Sequence, residues 1–400
     1  MTRDIRDTGR AADRDLESSM SKSLAIEVNG MKFPNPFVIG SGPPGTNAKS
    51  IARCFDAGWG GVVAKTTSLT DTEVVNVTPR YGKLRAAKSG EVIGFQNIEL
   101  ISDRPFEDWE QDFRDLKKSY PDKILIASLM ESFSESRWVE LTKRCVAAGV
   151  DGFELNFSCP HGHPETGMGA AMGQNPMMVE AVTRWVKAAA GNVPVWSKLT
   201  PNITDCRVPA RAAFAGGADG VATINTILSI IGIDLKTLRP LPTVEGFSVP
   251  GGYSAQAVKP IGLRMVQEIA LDRPGCTISG IGGVWRSSDA IEYLLLGAST
   301  VQVCTGAMLL GYEMVEELIE GLGKFLVDHN FENVRACVGA SLPYFTTHHH
   351  LVELQAEKRA QKDATNRDLR WGQTRLQDET AAMTSNETPA TTAATQVAAS

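Results

Sequence analysis

Short apolar runs punctuate the chain between Pro36 and Ala307, most of them too short for helices and rich in β-branched residues. They read PFVIG (36–40), GVVAKT (61–66), ILIASL (124–129), GFELNF (152–157), VPVWSKL (193–199), GVATINT (220–226), CTISGIGG (276–283) and TVQVCTG (300–306). Runs this apolar, without the alternation of a half-exposed sheet, fit parallel strands covered on both faces. Helical patterns lie between most of them: SRWVELTKRCVAAG, NPMMVEAVTRWVKAAA, PIGLRMVQEIAL and SSDAIEYLLLGA. Four joints repeat one phrase, AGWGGVVAKT, AAGVDGFELNF, AGGADGVATINT and LGASTVQVCT, with Gly or Ala where a helix gives way to a strand. Glycine there ends a helix in the left-handed conformation, and the recurrence points to internal repetition.

Eight such units predict an α/β fold, a (β/α)8 TIM barrel over residues 24–345 with an N-terminal hairpin and a C-terminal helical extension. A doubly wound open sheet is the competing arrangement, but no strand is followed by GxGxxG. The segment AIEVNGMKFPNP (25–36) reads as the hairpin, placed to plug the bottom of the barrel. GYEMVEELIEGLGKFLVDHN is amphipathic and packs as the last barrel helix. Residues 346–371, with ELQAEKRAQKDATNRDLRW at their centre, read as a charged helical extension. Residues 372–400 are Thr/Ala-rich and, like the leader 1–23, read as disordered. The leader interleaves acids with Arg and has no apolar core, unlike a secretory signal or a presequence; Met1 and Met20 are both candidate starts.

Composition acts mainly by exclusion. An apolar content of 42% and a charged content of 22% describe a globular chain, and a net charge of −6 argues against a nucleic-acid partner. Tyr293 to Tyr312 carries no charge, yet Gly297, Gln302 and Thr305 make it too polar for a membrane span; it reads as a helix end, a buried strand and a loop. Seven cysteines form no CxxC pair, which excludes a zinc ribbon and a ferredoxin-type iron–sulfur cluster in this chain. Scattered thiols suit a reducing cytoplasm. His161 and His163 lack a third ligand, so no metal site is expected.

In a barrel, chemistry gathers where the strands end. Polar residues there are Ser41, Lys65 and Thr66, then Asn156, Ser158 and Cys159, Lys198 and Thr200, Asn225 and Thr226, and Cys304 and Thr305. Gly282 and Gly283 after the seventh strand suit a phosphate cradle of backbone N–H groups and a helix N-terminus, with Ser287 or Ser288 capping that helix and Arg286 outside. Gly251, Gly252, Tyr253 and Ser254 offer further donors. Lys65 and Lys198 at strand ends need anionic compensation. Two chemistries meet that need: a Schiff base, or charge compensation for a flavin ring. The amides Asn97, Asn156 and Asn225 can match a ring that alternates N–H and C=O, as a pyrimidine does. Cys159 precedes a Gly-rich stretch (161–176) able to act as a lid, and is placed to serve as a general acid or base.

Together the strings VAKTTS, NIELIS, ELNFSCPHG, GMGAAMGQNP, SKLTPNITD, GGADGV with INT, GGYSAQAVKPIGLR, GIGGVWRSSDA and QVCTGA resemble the flavin barrels of dihydropyrimidine dehydrogenases and class 1 dihydroorotate dehydrogenases. They run in family order from residue 24 to about 350. The resemblance implies an FMN barrel exchanging hydride between flavin N5 and the C5–C6 bond of a pyrimidine, with Cys159 the acid or base at the opposite ring carbon. It implies that Ser41, Lys65, Thr66, Lys198, Gly252, Gly282, Gly283, Val284, Cys304 and Thr305 bind FMN. It implies that Asn97, Glu99, Asn156, Phe157, Ser158, Asn225 and Thr226 hold the pyrimidine. Phe157 stands where the family more often has leucine, and His161-Gly162 tilts toward the pyrimidine-catabolic branch.

The same resemblance exposes a gap. Where relatives carry cysteine-rich cluster motifs after the barrel, this chain has a charged helix and a polar tail, and it has no pyridine-nucleotide domain. NAD(P)H is then reached indirectly, through an electron-transfer partner subunit with FAD and iron–sulfur centres, in a homo- or hetero-oligomer, or the chain uses another oxidant or reductant directly. A dihydroorotate dehydrogenase, a Schiff-base barrel lyase and a non-catalytic flavin scaffold are the competing functions.

Overall fold

The computed structural model describes residues 22–71, 74–157 and 170–360, and every structural statement concerns those residues. Eight parallel strands close into a barrel in chain order: Phe37–Ile39, Gly61–Val63, Ile124–Leu129, Gly152–Asn156, Val195–Lys198, Gly220–Thr223, Thr277–Ile281 and Thr300–Val303. The last pairs with the first, Val301 opposite Phe37. Each strand falls inside one of the eight apolar runs, because a strand buried on both faces can carry an unbroken apolar run. The open sheet is ruled out by that closure.

Helices such as Ala48–Ala57, Glu135–Ala148 and Pro176–Ala190 form the outer layer. At the four repeated joints Gly58, Gly149, Gly217 and Gly297 have φ between 88° and 105°, a left-handed backbone that costs glycine little. The chain predicted as a loop at the end of the charge-free stretch is instead a short helix, Thr305–Leu310. Among the described residues no helix is long and apolar enough to cross a membrane.

The bottom of the barrel is sealed by the hairpin Ile26–Val28 and Met31–Phe33. Its plug enters where the strands begin with glycine: a Cβ on Gly61 would come within 3.0 Å of the Phe33 ring, and one on Gly152 within 3.0 Å of Met31 Sδ. The Phe33 ring then stacks on Trp196 with centroids 6.5 Å apart. Above this apolar floor the interior turns polar. Glu154 and Gln302 are fully buried, and Lys198 Nζ meets Glu154 Oε1 at 3.1 Å. Gln302 donates to the other Glu154 oxygen at 2.6 Å and to Ser279 Oγ at 3.1 Å. Every polar atom here finds a partner, the condition under which burying charge is tolerable.

A feature absent from the sequence reading stands over the top: a four-stranded antiparallel sheet ordered Ile227–Ser229, Gly251–Ser254, Val92–Asn97, Tyr81–Arg85. It is built from the excursions after the second and sixth barrel strands. Gln96 locks it, accepting from Ile231 N at 2.6 Å and donating to Ser229 O at 3.1 Å. The compact unit containing the barrel extends through Pro343; the segment from Tyr344 is a unit of its own, whose helix His348–Ala360 begins with the three histidines.

Candidate active site

The barrel and the sheet above it border an open cavity at the C-terminal strand ends. Its wall brings together Ser41, Lys65, Thr66, Asn97, Glu99, Asn156, Lys198, Asn225, Thr226, Gly282, Gly283, Val284, Cys304 and Thr305. Residues from seven of the eight strand ends and from the covering sheet therefore converge, although the sequence separates them by up to 264 positions (305 − 41).

A hydrogen-bonded row crosses this wall. Ser41 Oγ lies 3.1 Å from Thr66 Oγ1, which lies 2.8 Å from Ser128 Oγ and accepts from Asn156 Nδ2 at 3.0 Å. Asn225 Nδ2 donates to Asn156 Oδ1 at 3.0 Å, and its own Oδ1 accepts from Thr226 N at 2.8 Å. Asn97 joins from the covering sheet, donating to Gly252 O at 3.2 Å. Held this way, each amide has its orientation set by a neighbour while facing the cavity, as recognition of a flat polar ring requires.

The lysines find their counter-charges within the protein. Lys65 Nζ pairs with Glu99 Oε2 at 2.9 Å, and Arg80 grips the other Glu99 oxygen at 3.1 Å. Lys198 rests on Glu154. Both ammonium groups are nearly buried yet reach the cavity. Burial pushes the Cys304 thiol up to about 11, against the pull of Lys198 and Lys65. Burial and the neighbouring Glu99 hold the Tyr81 phenol above its usual range.

Several expectations need correction. Phe157 does not reach the cavity: its ring is buried against Trp138, centroids 6.3 Å apart. Successive strand residues face opposite ways, so with Asn156 turned to the mouth Phe157 turns to the helix layer. Gly252 lies behind the wall, where a Cβ would sit 2.2 Å from Thr226 Oγ1; it allows contact between the sheet and that threonine. Neither Ser287 nor Ser288 caps the helix Ser287–Leu295. Asp289 Oδ2 takes the N–H groups of Trp285 (2.9 Å) and Arg286 (3.1 Å), and Glu317 takes that of Ser287 at 2.9 Å. Two carboxylates therefore already occupy that helix N-terminus, and the glycine-lined wall next to the Thr305 turn is what remains for a phosphate. At the far end of the glycine-rich stretch a Cβ on Gly173 would strike Phe157 O, and Gln174 donates to Asn202 O at 2.8 Å. Ser158, Cys159, His161 and His163 lie outside the described residues.

Sequence reasoning missed Glu154, Gln302 and the aromatic lining of Tyr81, Phe95 and Trp285. A carboxylate inside GFELNF, a fully buried run, was the available signal for Glu154. Among the described residues no cluster of three metal-ligating side chains occurs.

The sequence profile of the dihydroorotate dehydrogenase family matches residues 23–326. The chain is 52% identical over 379 residues to the chloroplastic dihydropyrimidine dehydrogenase (NADP(+)) of Arabidopsis thaliana, covering 91% of this chain and 88% of that one. It is 44% identical to the NAD-dependent dihydropyrimidine dehydrogenase subunit PreA of Escherichia coli, over 80% of this chain and 77% of the relative. It is 35% identical to the catalytic subunit of the NAD(+) dihydroorotate dehydrogenase B of Pyrococcus abyssi, over 80% and 99%.

Proposed function

The chain belongs to the dihydroorotate dehydrogenase family, and on that footing we propose that it is an FMN-dependent oxidoreductase interconverting uracil or thymine with the 5,6-dihydro form. The relatives named dihydropyrimidine dehydrogenase support the substrate class. The observation that carries the reading is the row of oriented amides, Asn156, Asn225 and Asn97, around one cavity with two buried ammonium groups.

The residues present fit FMN. Lys65 and Lys198 line the cavity and offer positive charge to an electron-rich edge, and Gly282 and Gly283 leave a wall without side chains for a phosphate. When bound, FMN supplies hydride exchange with the C5–C6 bond of the pyrimidine. The chain's own residues do the rest. Asn156, Asn225 and Thr226 orient the ring through its alternating donors and acceptors. Glu99, held by Arg80, fixes Lys65 at the wall. Cys159, three residues beyond Asn156 in sequence, exchanges a proton with the ring carbon opposite the hydride. Ser158 holds the ring beside it.

The chain works with an electron-transfer partner that oxidises NAD(P)H through FAD and iron–sulfur centres, consistent with the Escherichia coli relative being named a subunit. The cytoplasm is the proposed compartment, and imaging of the tagged full-length chain decides between it and the plastid named for the Arabidopsis relative. A dihydroorotate dehydrogenase is the second reading, favoured by the Pyrococcus relative. The Schiff-base alternative is weaker: both lysines already pair with carboxylates, an arrangement suited to holding charge rather than to presenting a free amine.

Product analysis tests the proposal. Dithionite-reduced, full-length protein mixed anaerobically with uracil, thymine or orotate should yield dihydrouracil and dihydrothymine. Conversion of orotate alone contradicts it, and a colourless protein that traps a carbonyl substrate with borohydride restores the lyase.

A further inference from the structure

The motif GGYSAQAVKP carries a lysine that the proposed reaction does not use. Lys259 opens the helix Lys259–Asp272, directly after the covering-sheet strand Gly251–Ser254 and its turn. Its Nζ lies 2.6 Å from Asp289 Oδ1 and 2.9 Å from Glu292 Oε2. Asp289 belongs to the other side of the cavity, the helix after the seventh barrel strand, and is 8% exposed. Its second oxygen accepts from the N–H groups of Trp285 and Arg286. One carboxylate thus holds both the turn that continues Gly282, Gly283 and Val284 and the lysine that follows Tyr253 and Ser254.

The backbones meet at the same place. Gly283 has φ 72°, and a Cβ there would come within 2.8 Å of Lys259 N and 3.0 Å of Ala255 O. Ser254 Oγ lies 2.8 Å from Thr305 Oγ1, which carries the contact on to the eighth strand. Charge raises a further issue. Asp289 and Glu292 place two carboxylates behind a wall suited to an anion, and like charge there repels a phosphate. The single ammonium of Lys259 offsets one of these two charges. Burial opposes its charge, yet its hydrogen bonds to both acids outweigh that and hold its pKa above the usual lysine value.

We propose that Lys259 and Asp289 form a clamp that joins the two halves of the phosphate-binding wall and lowers the negative charge behind it, making both positioning residues for the ligand's phosphate. The inference rests on the flavin reading and assigns a task to residues outside the reacting centre.

The test compares FMN with riboflavin, which lacks the phosphate, by fluorescence titration of the full-length chain freed of bound flavin. In Lys259→Met and in Asp289→Asn the preference for FMN over riboflavin should fall about tenfold, the worth of a hydrogen bond to a charged group. Riboflavin affinity should stay unchanged, and Lys259→Arg should restore the preference. Thermal melting of the flavin-free variants checks that they fold. If the two flavins weaken equally, or the preference stays at the wild-type value, the clamp is wrong while the flavin reading stands. A wild-type chain that takes up neither flavin overturns that reading and the clamp with it.

Discussion

The two ends of the barrel answer the same problem in opposite ways. At the bottom, strands that begin with Gly61, Gly152 and Gly220 leave space for Phe33, Met31 and Trp196, and the opening is filled with apolar side chains. At the top, strands end in Lys65, Asn156, Lys198 and Asn225, and a sheet encloses the opening without filling it. A plug made of rings and a thioether serves stability alone. A polar rim costs desolvation, and its members must pay each other back through hydrogen bonds. The pairs Lys65–Glu99 and Lys198–Glu154 and the amide row do so, leaving cavity-facing charge and amides ready for a ligand.

Substitutions should separate the two ends. The largest effect is expected from Cys159→Ser: turnover falls about 10²–10⁴-fold with flavin content unchanged, read by anaerobic rapid mixing. Next, Lys198→Met strands the fully buried Glu154. It should lower stability by about 3–5 kcal/mol in denaturant titration and weaken ligand binding too, because this residue belongs to both the interior and the rim. Gly152→Val presses on Met31 at the bottom and should cost about 1–3 kcal/mol of stability while leaving activity per folded molecule intact. Loss of activity there would blur the comparison. The smallest effect concerns Cys304. With its thiol pushed up to about 11 by burial, the reactive thiolate is scarce at pH 8, so iodoacetamide labelling of Cys304 should be slow, climb steadily from pH 8 to 10 and be blocked by a ligand in the cavity.

The barrel was legible in the sequence because burial on both faces leaves a continuous apolar run, and each of the eight runs contains its strand. The hairpin was legible for a related reason: Ile26, Val28, Met31 and Phe33 alternate with polar residues and all turn inward. The covering sheet was not, since Tyr81–Arg85 is largely exposed and the next strand, Val92–Asn97, finds its second partner in Gly251–Ser254, more than 150 residues away. The rim residues were legible as polar interruptions at strand ends. Phe157 misled because a contiguous motif hides the alternation of a strand. The serine cap misled because Ser287 Oγ donates instead to Glu317, thirty residues further on. Lys65 and Lys198 correctly signalled a need for negative charge, but nothing local could reveal that Glu99 and Glu154 supply it first.

The central claim is that the rim accepts an uncharged dihydropyrimidine and passes its hydride to a bound flavin. Anaerobic titration of the oxidised full-length protein with dihydrouracil, dihydrothymine and dihydroorotate, followed in the visible flavin band, tests it most directly. Bleaching by dihydrouracil or dihydrothymine, and little by dihydroorotate, is the predicted result; bleaching by dihydroorotate alone, or a protein with no flavin band to bleach, contradicts it.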